Sequence, residues 1–342
     1  MQLLIDNIIT QDLSRIESNV PNIFEGRKIL VTGGSGFIGS WICDFLHRKH
    51  ASITVVDNLS TGRLEYIDHL VNLRGFDLQR ANVEAFELGS AKFDYVLHLA
   101  SRPAPDDFQA HPVETALVNS VGSYRILEVA RKCDATALFA SSSEVYGQTS
   151  EVPTPETCFG SVNILGMRGC YDESKRLGEA LFIGYYREYG LDVKIARIFN
   201  TYGPRLRSDG TYARALSRFI VQSLAGEDVT VFGDGTQTRS FCYVTDTVSA
   251  MLKMLALDAK GVALNIGNPV ETRIIDLARE IVRLTNSKSE ISWRALPPDD
   301  PKRRCPDISK AGSLLSWKPE VRLEDGLERT ILWFKTNRAA GA

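Results

Sequence analysis

The chain has 342 residues, with 40 Lys and Arg against 42 Asp and Glu, so its formal net charge is −2. This balance excludes the broad basic surface that nucleic-acid-binding proteins use. A hydrophobic content of 44% and a charged content of 24% exclude disordered and fibrous chains. The length allows about two domains.

The first 26 residues are predicted to form a helical extension. They lack the basic start of a signal peptide and carry Asp6 within their only apolar run. No stretch approaches the length of a membrane span. The cysteines are scattered singly, which disfavours a disulfide framework or a metal site and favours a reducing compartment. We therefore expect a cytoplasmic protein that binds neither membrane nor nucleic acid.

From residue 27 onward, short strand-like runs alternate with longer amphipathic segments. The strand-like runs are KILVTG, ITVVDN, DYVLHLA, ATALFASSS and VKIARIFN. Helices are predicted at FIGSWICDFLHRKH, at 112–132 and at 171–189. This alternation predicts an α/β fold of the Rossmann type, with a doubly wound parallel sheet over residues 27–203.

After residue 203 the alternation becomes irregular, and Gly, Pro and Arg become frequent in loops such as FGDGTQTRSF and LPPDDPKRRCPD. We expect residues 204–342 to form mainly a smaller, mixed α/β substrate domain. The strand-like segments VTVF and ALNIGN could still return to the first sheet.

A glycine triplet, Gly33, Gly36 and Gly39, follows the first predicted strand and opens a predicted helix together with Phe37 and Ile38. In that context the first glycine permits a tight turn, the second lets the backbone approach a pyrophosphate, and the third lets helix and strand pack closely. The helix N-terminus supplies amides and a favourable dipole. The segment therefore predicts a dinucleotide site.

The next strand ends at Asp57, where an acid accepts hydrogen bonds from the adenosine ribose and repels a 2′-phosphate. This favours NAD over NADP, although Arg63 nearby would tolerate the phosphate, and Asp57 could instead be a turn residue. The loop residues expected around the ribose are Asn58, Ser60, Thr61 and Gly62. Asp77 and Leu78, at the end of the third strand, are expected to meet the adenine.

Tyr171 and Lys175 lie four residues apart and so share one helix face. Lys175 can hold the nicotinamide ribose, and its charge is expected to lower the phenol pKa of Tyr171. A phenol with a lowered pKa can remove a hydroxyl proton as hydride leaves for NAD. The pattern alone is common, and its value comes from lying downstream of a dinucleotide fingerprint.

Together these residues resemble the extended short-chain dehydrogenase/reductase superfamily, the NAD-dependent epimerases and dehydratases of nucleotide sugars. The segments GSVNILGMRGCYDESKR, ARIFNTYGPR, FGDGTQTRSF and DDPKRRCPDISKAGSLLSWKP are most similar to UDP-glucuronate decarboxylases, which make UDP-xylose. The resemblance implies an enzyme that oxidises C4 of the sugar, releases the C6 carboxylate as carbon dioxide and regenerates NAD.

Within the superfamily, the segment Ser142, Ser143, Glu144 is informative. Sugar 4-epimerases usually carry a small residue in place of Glu144, and 4,6-dehydratases carry an Asp in place of Ser143. The resemblance thus favours decarboxylation, with Ser142 holding the C4 oxygen and Glu144 positioning the ring or relaying a proton. A loop-capping Glu144, an epimerase or dehydratase, and a noncatalytic NAD-binding scaffold remain alternatives.

The resemblance also implies the remaining contacts. Further cofactor residues are Leu99, Ser101, Ala140 and Thr201, and the diphosphate sugar is expected to meet Asn200, Arg205, Arg214, Arg239 and Arg303. Arg304 is assigned to the sugar carboxylate and so to catalysis, although Arg303 and Arg304 could also form a solvated basic patch.

Two positions depart from the decarboxylase pattern, because Glu114 and Leu117 stand where basic residues are usual. Arg102, in a loop that also differs, either supplies the missing charge or indicates another sugar. The family commonly forms homodimers through two helices per subunit, here expected at 112–132 and 171–189.

Overall fold

The protein is described by a computed structural model, which covers residues 2–87, 89–209, 214–295 and 302–340. The strands are β1 Lys28–Thr32, β2 Ser52–Val56, β3 Phe76–Gln79, β4 Tyr95–His98, β5 Thr136–Ser142, β6 Val193–Ile198, β7 Thr201–Tyr202, β8 Val229–Phe232, β9 Thr238–Ser240, β10 Cys242–Tyr243, β11 Val262–Ile266, β12 Glu271–Arg273, β13 Ile291–Arg294 and β14 Arg303–Arg304. The helices are α1 Gln2–Asn19, α2 Phe37–Arg48, α3 Pro105–Ala110, α4 Pro112–Cys133, α5 Gly169–Tyr189, α6 Ala215–Ala225, α7 Val244–Leu255, α8 Ile274–Thr285, α9 Ser309–Leu315 and α10 Leu323–Ala340.

Seven parallel strands form the central sheet, in the order β11-β6-β5-β4-β1-β2-β3. Most of their apolar side chains are buried, as is usual for a parallel sheet that is covered on both faces, whereas Phe76 and Leu78 on the edge strand β3 are partly exposed. The strand order reverses between β1 and β4, and ligands of open α/β sheets bind at such a switch point, beyond the carboxyl ends of the strands. The predicted Rossmann-type fold is confirmed.

Two pairs of helices cover this sheet. The predicted helix 112–132 is α4, which begins with Pro112 and ends before Asp134 in the left-handed conformation (φ 52°). It packs on α5, whereas α2 packs on α7. These two layers of helices, α4 with α5 and α2 with α7, place the amino-terminal ends of α2 and α5 beside the carboxyl edge of the sheet.

The N-terminal extension packs on its own chain. Helix α1 contacts α2, α7 and α10, with Leu13 and Ile16 buried. The Tyr243 hydroxyl donates to the Asp12 carboxylate at 2.6 Å, and Arg329 donates to the same group at 2.9 Å. The extension is therefore part of the core of this subunit.

Residues beyond 203 contribute both to the central sheet and to smaller sheets. The segment ALNIGN supplies β11 at the edge of the central sheet, whereas VTVF is β8 and pairs with β13. Strands β12, β9 and β14 form a three-stranded sheet, and β10 pairs with β7. Strand β11 and helix α7 both lie beyond residue 203 and yet belong to the larger unit. The domain boundary at residue 203 therefore stays a prediction.

None of the helices in the described part of the chain has the length and apolar character that a bilayer crossing requires.

Candidate functional site

A large cavity of about 940 Å³ lies beyond the carboxyl ends of the central strands. We call it the large cavity. The predicted residues that line it are Gly33, Gly36, Phe37, Ile38, Gly39, Asp57, Asn58, Ser60, Thr61, Leu99, Ser101, Arg102, Ala140, Ser142, Glu144, Tyr171, Lys175, Asn200, Thr201, Arg214, Arg239 and Arg304. Among the described residues, no group of His, Cys, Asp and Glu is arranged to hold a metal ion.

The glycine loop forms one end of the large cavity. Gly33 has φ +71°, and a Cβ there would lie 2.7 Å from the backbone nitrogen of Ala100. A Cβ on Gly39 would collide with the carbonyl oxygen of Gly33. Gly36 is the N-cap of α2 and supplies no side-chain cap, and within the described part of the chain no side chain accepts from the first amides of this 12-residue helix, whose first residues line the cavity. This cradle fits the pyrophosphate of a dinucleotide.

Asp57 directly follows β2, and its side chain reaches Ser35 in the glycine loop. Its carboxylate accepts hydrogen bonds from the backbone N–H of Ser35 at 3.0 Å and of Leu59 at 2.8 Å, and from the Ser35 hydroxyl. The acid thus serves as a turn residue and also borders the cavity, so the two interpretations of Asp57 are compatible. It links Ser35 of the glycine loop to the start of the loop that follows β2.

Three residues expected near the adenosine do not line the cavity. Asp77 and Leu78 lie inside β3, which continues to Gln79, so the wall at this point comes from the following segment 81–84. Gly62 packs against Ser35 behind the loop. Leu78 is the penultimate residue of β3, close to the strand end that the sequence predicts, and the adenine contact of Asp77 and Leu78 stays a prediction.

Tyr171 and Lys175 lie on α5 and are both buried. The Tyr171 ring stacks on Phe108 at 5.2 Å, and its hydroxyl is hydrogen-bonded to Ser142. Lys175 Nζ donates to the carbonyl oxygen of Ala140 at 2.8 Å and lies 5.8 Å from the Tyr171 ring centroid. The three groups therefore meet at the end of β5, as the sequence pattern predicts.

The expected lowering of the phenol pKa is not observed. Burial raises the pKa of Tyr171 to about 12, and the hydrogen bond from Ser142 and the charge of Arg214 only partly oppose it. Burial also lowers the pKa of Lys175 to about 7, so its own charged form is disfavoured. The ammonium points at a carbonyl oxygen and an aromatic face, and desolvation outweighs its effect on the phenol.

Glu144 lies beside this group, in the 3₁₀ turn that follows β5. Its carboxylate accepts hydrogen bonds from Arg168 at 2.5 Å and from Arg304 at 3.1 Å. Burial alone would raise the pKa of Glu144, but the charges of Arg304 and Arg168 lower it to about 2. Glu144 is therefore an ionised side chain between two arginines at the cavity wall, and it is more than a loop cap.

Several donors line the cavity opposite the glycine loop. Asn200 Nδ2 is buried and has no hydrogen-bond partner within the described chain. Arg214 is the N-cap of α6 and donates to the carbonyl oxygen of Pro103 at 2.8 Å. Burial lowers the pKa of Arg214, and the charge of Glu144 only partly opposes this shift. Together with Arg239 these groups suit a diphosphate.

Two arginines predicted for the substrate lie elsewhere. Arg205 has φ +71° and is directed towards Asp44, to which it donates at 2.6 Å, with its guanidinium over the Trp41 ring. Arg303 is exposed and pairs with Glu271. Neither lines the cavity, because each is held by a carboxylate of the protein, Asp44 or Glu271.

Arg102 lines the cavity, but carboxylates surround it. Its guanidinium donates to both oxygens of Asp107, at 2.8 and 3.0 Å, and to Glu114 at 2.7 Å. Glu114, one of the two unusual residues, is thus the partner of Arg102. This pairing fastens the loop after β4 to the start of α4 and offsets the charge of Arg102.

Sequence reasoning missed two arginines of the site. Arg168 caps α5 one turn before Tyr171 and holds Glu144. Arg218 lies one turn after Arg214 on α6, over the Phe232 ring at 4.7 Å, and its buried Nε has no hydrogen-bond partner among the described residues. Helical spacing from Tyr171 and Arg214 was the only signal that would have found them.

The chain is similar to characterised proteins along most of its length. The profile of the "NAD dependent epimerase/dehydratase family" matches residues 29–267. "UDP-glucuronic acid decarboxylase 1" of Xenopus tropicalis is 42% identical over 310 residues, which are 90% of this chain and 72% of that protein. "UDP-glucuronic acid decarboxylase 3" of Arabidopsis thaliana is 42% identical over 88% of this chain and 86% of its own length.

Solved structures show the same fold. The UDP-glucose 4-epimerase of Thermotoga maritima with UDP-glucose has a TM-score of 0.83 and 31% identity, over 91% of this chain and 99% of that one. The UDP-glucuronic acid 4-epimerase of Bacillus cereus, in complex with UDP-glucuronic acid and NAD, has a TM-score of 0.81 and 28% identity, over 91% and 99%.

Proposed function

The chain belongs to the NAD-dependent epimerase/dehydratase family, and on that premise we propose that it decarboxylates UDP-glucuronate to UDP-xylose. One observation carries the proposal: Glu144 and its two arginines lie beside Tyr171 and Ser142 in a chain about 42% identical to UDP-glucuronic acid decarboxylases. The activity is that of an NAD-dependent carboxy-lyase.

We assign the cofactor to the half of the large cavity formed by the glycine loop. The free amides at the start of α2 suit its pyrophosphate, and Asp57 suits the adenosine ribose. NAD bound there would supply the hydride acceptor for oxidation at C4 of the sugar and the hydride donor for its later reduction. Lys175 is assigned to the nicotinamide ribose, because its ammonium reaches the cavity wall between Ala140 and Tyr171.

We assign proton transfer at C4 to Tyr171. Ser142 is hydrogen-bonded to the phenol and can hold the C4 oxygen beside it. When NAD is bound, the positive charge of its nicotinamide ring would oppose the burial that raises the pKa of Tyr171. The ionised phenol would then remove the proton of the C4 hydroxyl and return it after the pentose has formed. A C4 ketone makes the C6 carboxylate a β-keto acid, which loses carbon dioxide and leaves an enolate that takes up a proton at C5.

The substrate's two negative regions match the other half of the cavity. Asn200 and Arg214 are assigned to the diphosphate, because Asn200 Nδ2 has no hydrogen-bond partner among the described residues and Arg214 is a cation whose pKa is lowered by burial. Arg239 is assigned to it as well, because it is a cation that lines the same cavity. Arg304 is assigned to the sugar carboxylate. Its guanidinium also holds Glu144, so a bound carboxylate would share that arginine with Glu144.

A second candidate is 4-epimerisation of the same uronate, in which the carboxylate is kept. It is favoured by the similarity to the B. cereus UDP-glucuronic acid 4-epimerase. Glu144 argues against it, because an epimerase needs only space for its ketone to rotate. A noncatalytic scaffold would not need Tyr171, Lys175 and Ser142 to converge in one cavity.

Incubation with NAD and UDP-glucuronate tests the proposal. Decarboxylation predicts equal amounts of carbon dioxide and UDP-xylose, with no net reduction of NAD. UDP-galacturonate without carbon dioxide would establish the second candidate instead. Turnover of a neutral UDP- or dTDP-hexose, with none of the uronate, would contradict both.

We further propose a homodimer. Val113, Leu117, Val121 and Tyr124 form an exposed apolar stripe along one face of α4, and Leu177 is exposed on α5. A Val121→Asp variant should dissociate the dimer in analytical ultracentrifugation, whereas Leu3→Asp on α1 should not.

A cytoplasmic location is proposed as well, supported by six cysteines that are all free.

A further inference from the structure

A second, smaller cavity of about 180 Å³ lies behind Glu144. Glu144, Arg168 and Arg304 line both cavities and so form the wall between them. The small cavity is large and polar enough for several waters. Its rim includes the exposed residues Gln148, Ser161 and Asn163. It thus connects the solvent side of the protein with the back of the Glu144 carboxylate.

Asp172 lies on the buried wall of this small cavity. The residue is only 5% exposed, and its Oδ1 has no hydrogen-bond partner among the described residues. The other oxygen lies 3.7 Å from Arg168 Nε. Asp172 lines the small cavity and not the large one. The unpaired Oδ1 lacks the hydrogen bonds that would stabilise a charge on Asp172, while the residue itself borders the small cavity.

The burial of Asp172 allows its carboxyl group to change protonation state near neutral pH. Burial raises the pKa of Asp172 to about 7, and the negative charges of Glu144 and Glu173 act in the same direction. The charges of Arg168 and Arg304 oppose this shift. Asp172 is therefore far easier to protonate than its neighbour Glu144, whose pKa is lowered to about 2.

The proposed reaction requires a proton from outside the large cavity. The substrate's C6 carboxylate leaves as neutral carbon dioxide, the C5–C6 bond breaks, and its electron pair forms a new C5–H bond. Each turnover therefore takes up one proton from solvent, whereas the proton that Tyr171 removes from C4 is returned to C4. A sugar nucleotide and a dinucleotide would together fill the large cavity, so this proton needs another route.

We propose that Asp172 and the waters of the small cavity form a relay that carries this proton to Glu144, which passes it to C5. This inference rests on the proposed decarboxylation. A substrate carboxylate that shares Arg304 adds negative charge beside Glu144 and weakens its ion pair. Both effects make Glu144 easier to protonate during turnover. Asp172 acts through Glu144 and so is a positioning residue of the relay.

An Asp172→Asn variant tests the relay in a single turnover with NAD and UDP-glucuronate. Carbon dioxide should appear at the wild-type rate, whereas formation of UDP-xylose should slow on the order of tenfold because C5 is protonated late. Reduced cofactor, followed by its near-ultraviolet absorbance, should then accumulate transiently. Glu173→Gln is the matched control, because Glu173 neighbours Asp172 on the same helix and does not line the small cavity.

Two further readouts separate a relay from a structural role. In the wild type, UDP-xylose formation should fall as the pH rises through about 7, where Asp172 loses its proton, and Asp172→Asn should remove this fall. Asp172→Glu should restore most of the rate. UDP should bind the wild type and all variants equally, which establishes that the site is folded.

The outcomes that overturn the relay differ from those that overturn the function. If Asp172→Asn slows carbon dioxide and UDP-xylose equally, without accumulation of reduced cofactor, Asp172 has only a structural role. If this variant matches the wild type, the proton takes another route. If the wild type releases no carbon dioxide from UDP-glucuronate, the proposed function fails and the relay fails with it.

Discussion

The two halves of the large cavity are formed by different groups, one by the backbone and the other by charged side chains. The half assigned to the cofactor is mainly backbone, from the glycine loop and the first turn of α2, held by the carboxylate of Asp57. The opposite half is formed by charged side chains: Arg168 before α5, Arg214 before α6, Arg239 on β9 and Arg304 on β14. The first half comes from one short stretch of sequence, and the second exists only when distant segments meet. We therefore expect the first to be sensitive to shape and the second to charge.

Tyr171 lies where the two halves meet, and its substitution should have the largest effect. Tyr171→Phe removes the hydroxyl that we assign to proton transfer and should lower kcat about 1,000-fold. The ring should remain stacked on Phe108, so the Kd for NAD, measured by fluorescence quenching, should change little. A weaker NAD affinity with an unchanged kcat would contradict the assignment.

Gly33→Ala should disrupt the backbone half. Its Cβ would lie 2.7 Å from the nitrogen of Ala100, in a residue with φ +71°. We expect a loss of about 3 kcal/mol in the free energy of unfolding and a large loss of NAD affinity.

Gly26→Ala is the matched control for this change. Gly26 has φ +69° but no atom within 4 Å of the added Cβ, so only the strain of the left-handed backbone remains. That variant should lose about 1 kcal/mol, measured by urea denaturation, and keep its NAD affinity. Equal losses in the two variants would show that close approach to Ala100 does not matter.

The same contrast explains which parts of the site were predictable. The glycine loop, Asp57 and the Tyr171–Lys175 pair are local patterns, and the structure brings them together as expected. Their environment was not predictable, since the raised pKa of Tyr171 comes from burial by residues far away in sequence. Likewise the partner of Arg205 is Asp44, 161 positions distant.

Arg303 and Arg304 are neighbours on β14, but only one of them reaches the large cavity. Parallel pairing of β14 with β9 places Arg304 opposite Arg239 and Arg303 opposite Thr238. Because successive side chains of a strand point to opposite faces, only Arg304 enters the cavity. The sequence alone did not show that these residues form a strand.

Arg304→Ala should therefore have a large effect and Arg303→Ala almost none. Removing Arg304 leaves Glu144 with one arginine and the sugar carboxylate without its assigned partner, so kcat/KM for UDP-glucuronate should fall about 100-fold. Arg303 forms an exposed pair with Glu271, and its removal should change kcat/KM less than about twofold. Equal losses would mean that the two residues only form a basic patch.

The free energy of unfolding should also depend on pH through Asp172, which lies behind the second half of the large cavity. This is the smallest of the four expected effects. The pKa of Asp172 is raised from 3.8 to about 7 in the folded chain, so between these values the folded state binds more protons than the unfolded state. The contribution of the protonated form is then lost as the pH rises through about 7. Asp172→Asn mimics the protonated side chain, and its stability advantage over the wild type should grow by about 2 kcal/mol between pH of about 5 and about 8. Urea denaturation at the two pH values measures this, and Glu173→Gln should show no such growth. An advantage that is the same at both pH values would mean that Asp172 has an ordinary pKa in the folded chain, and that its charge is not destabilised behind the wall formed by Glu144, Arg168 and Arg304.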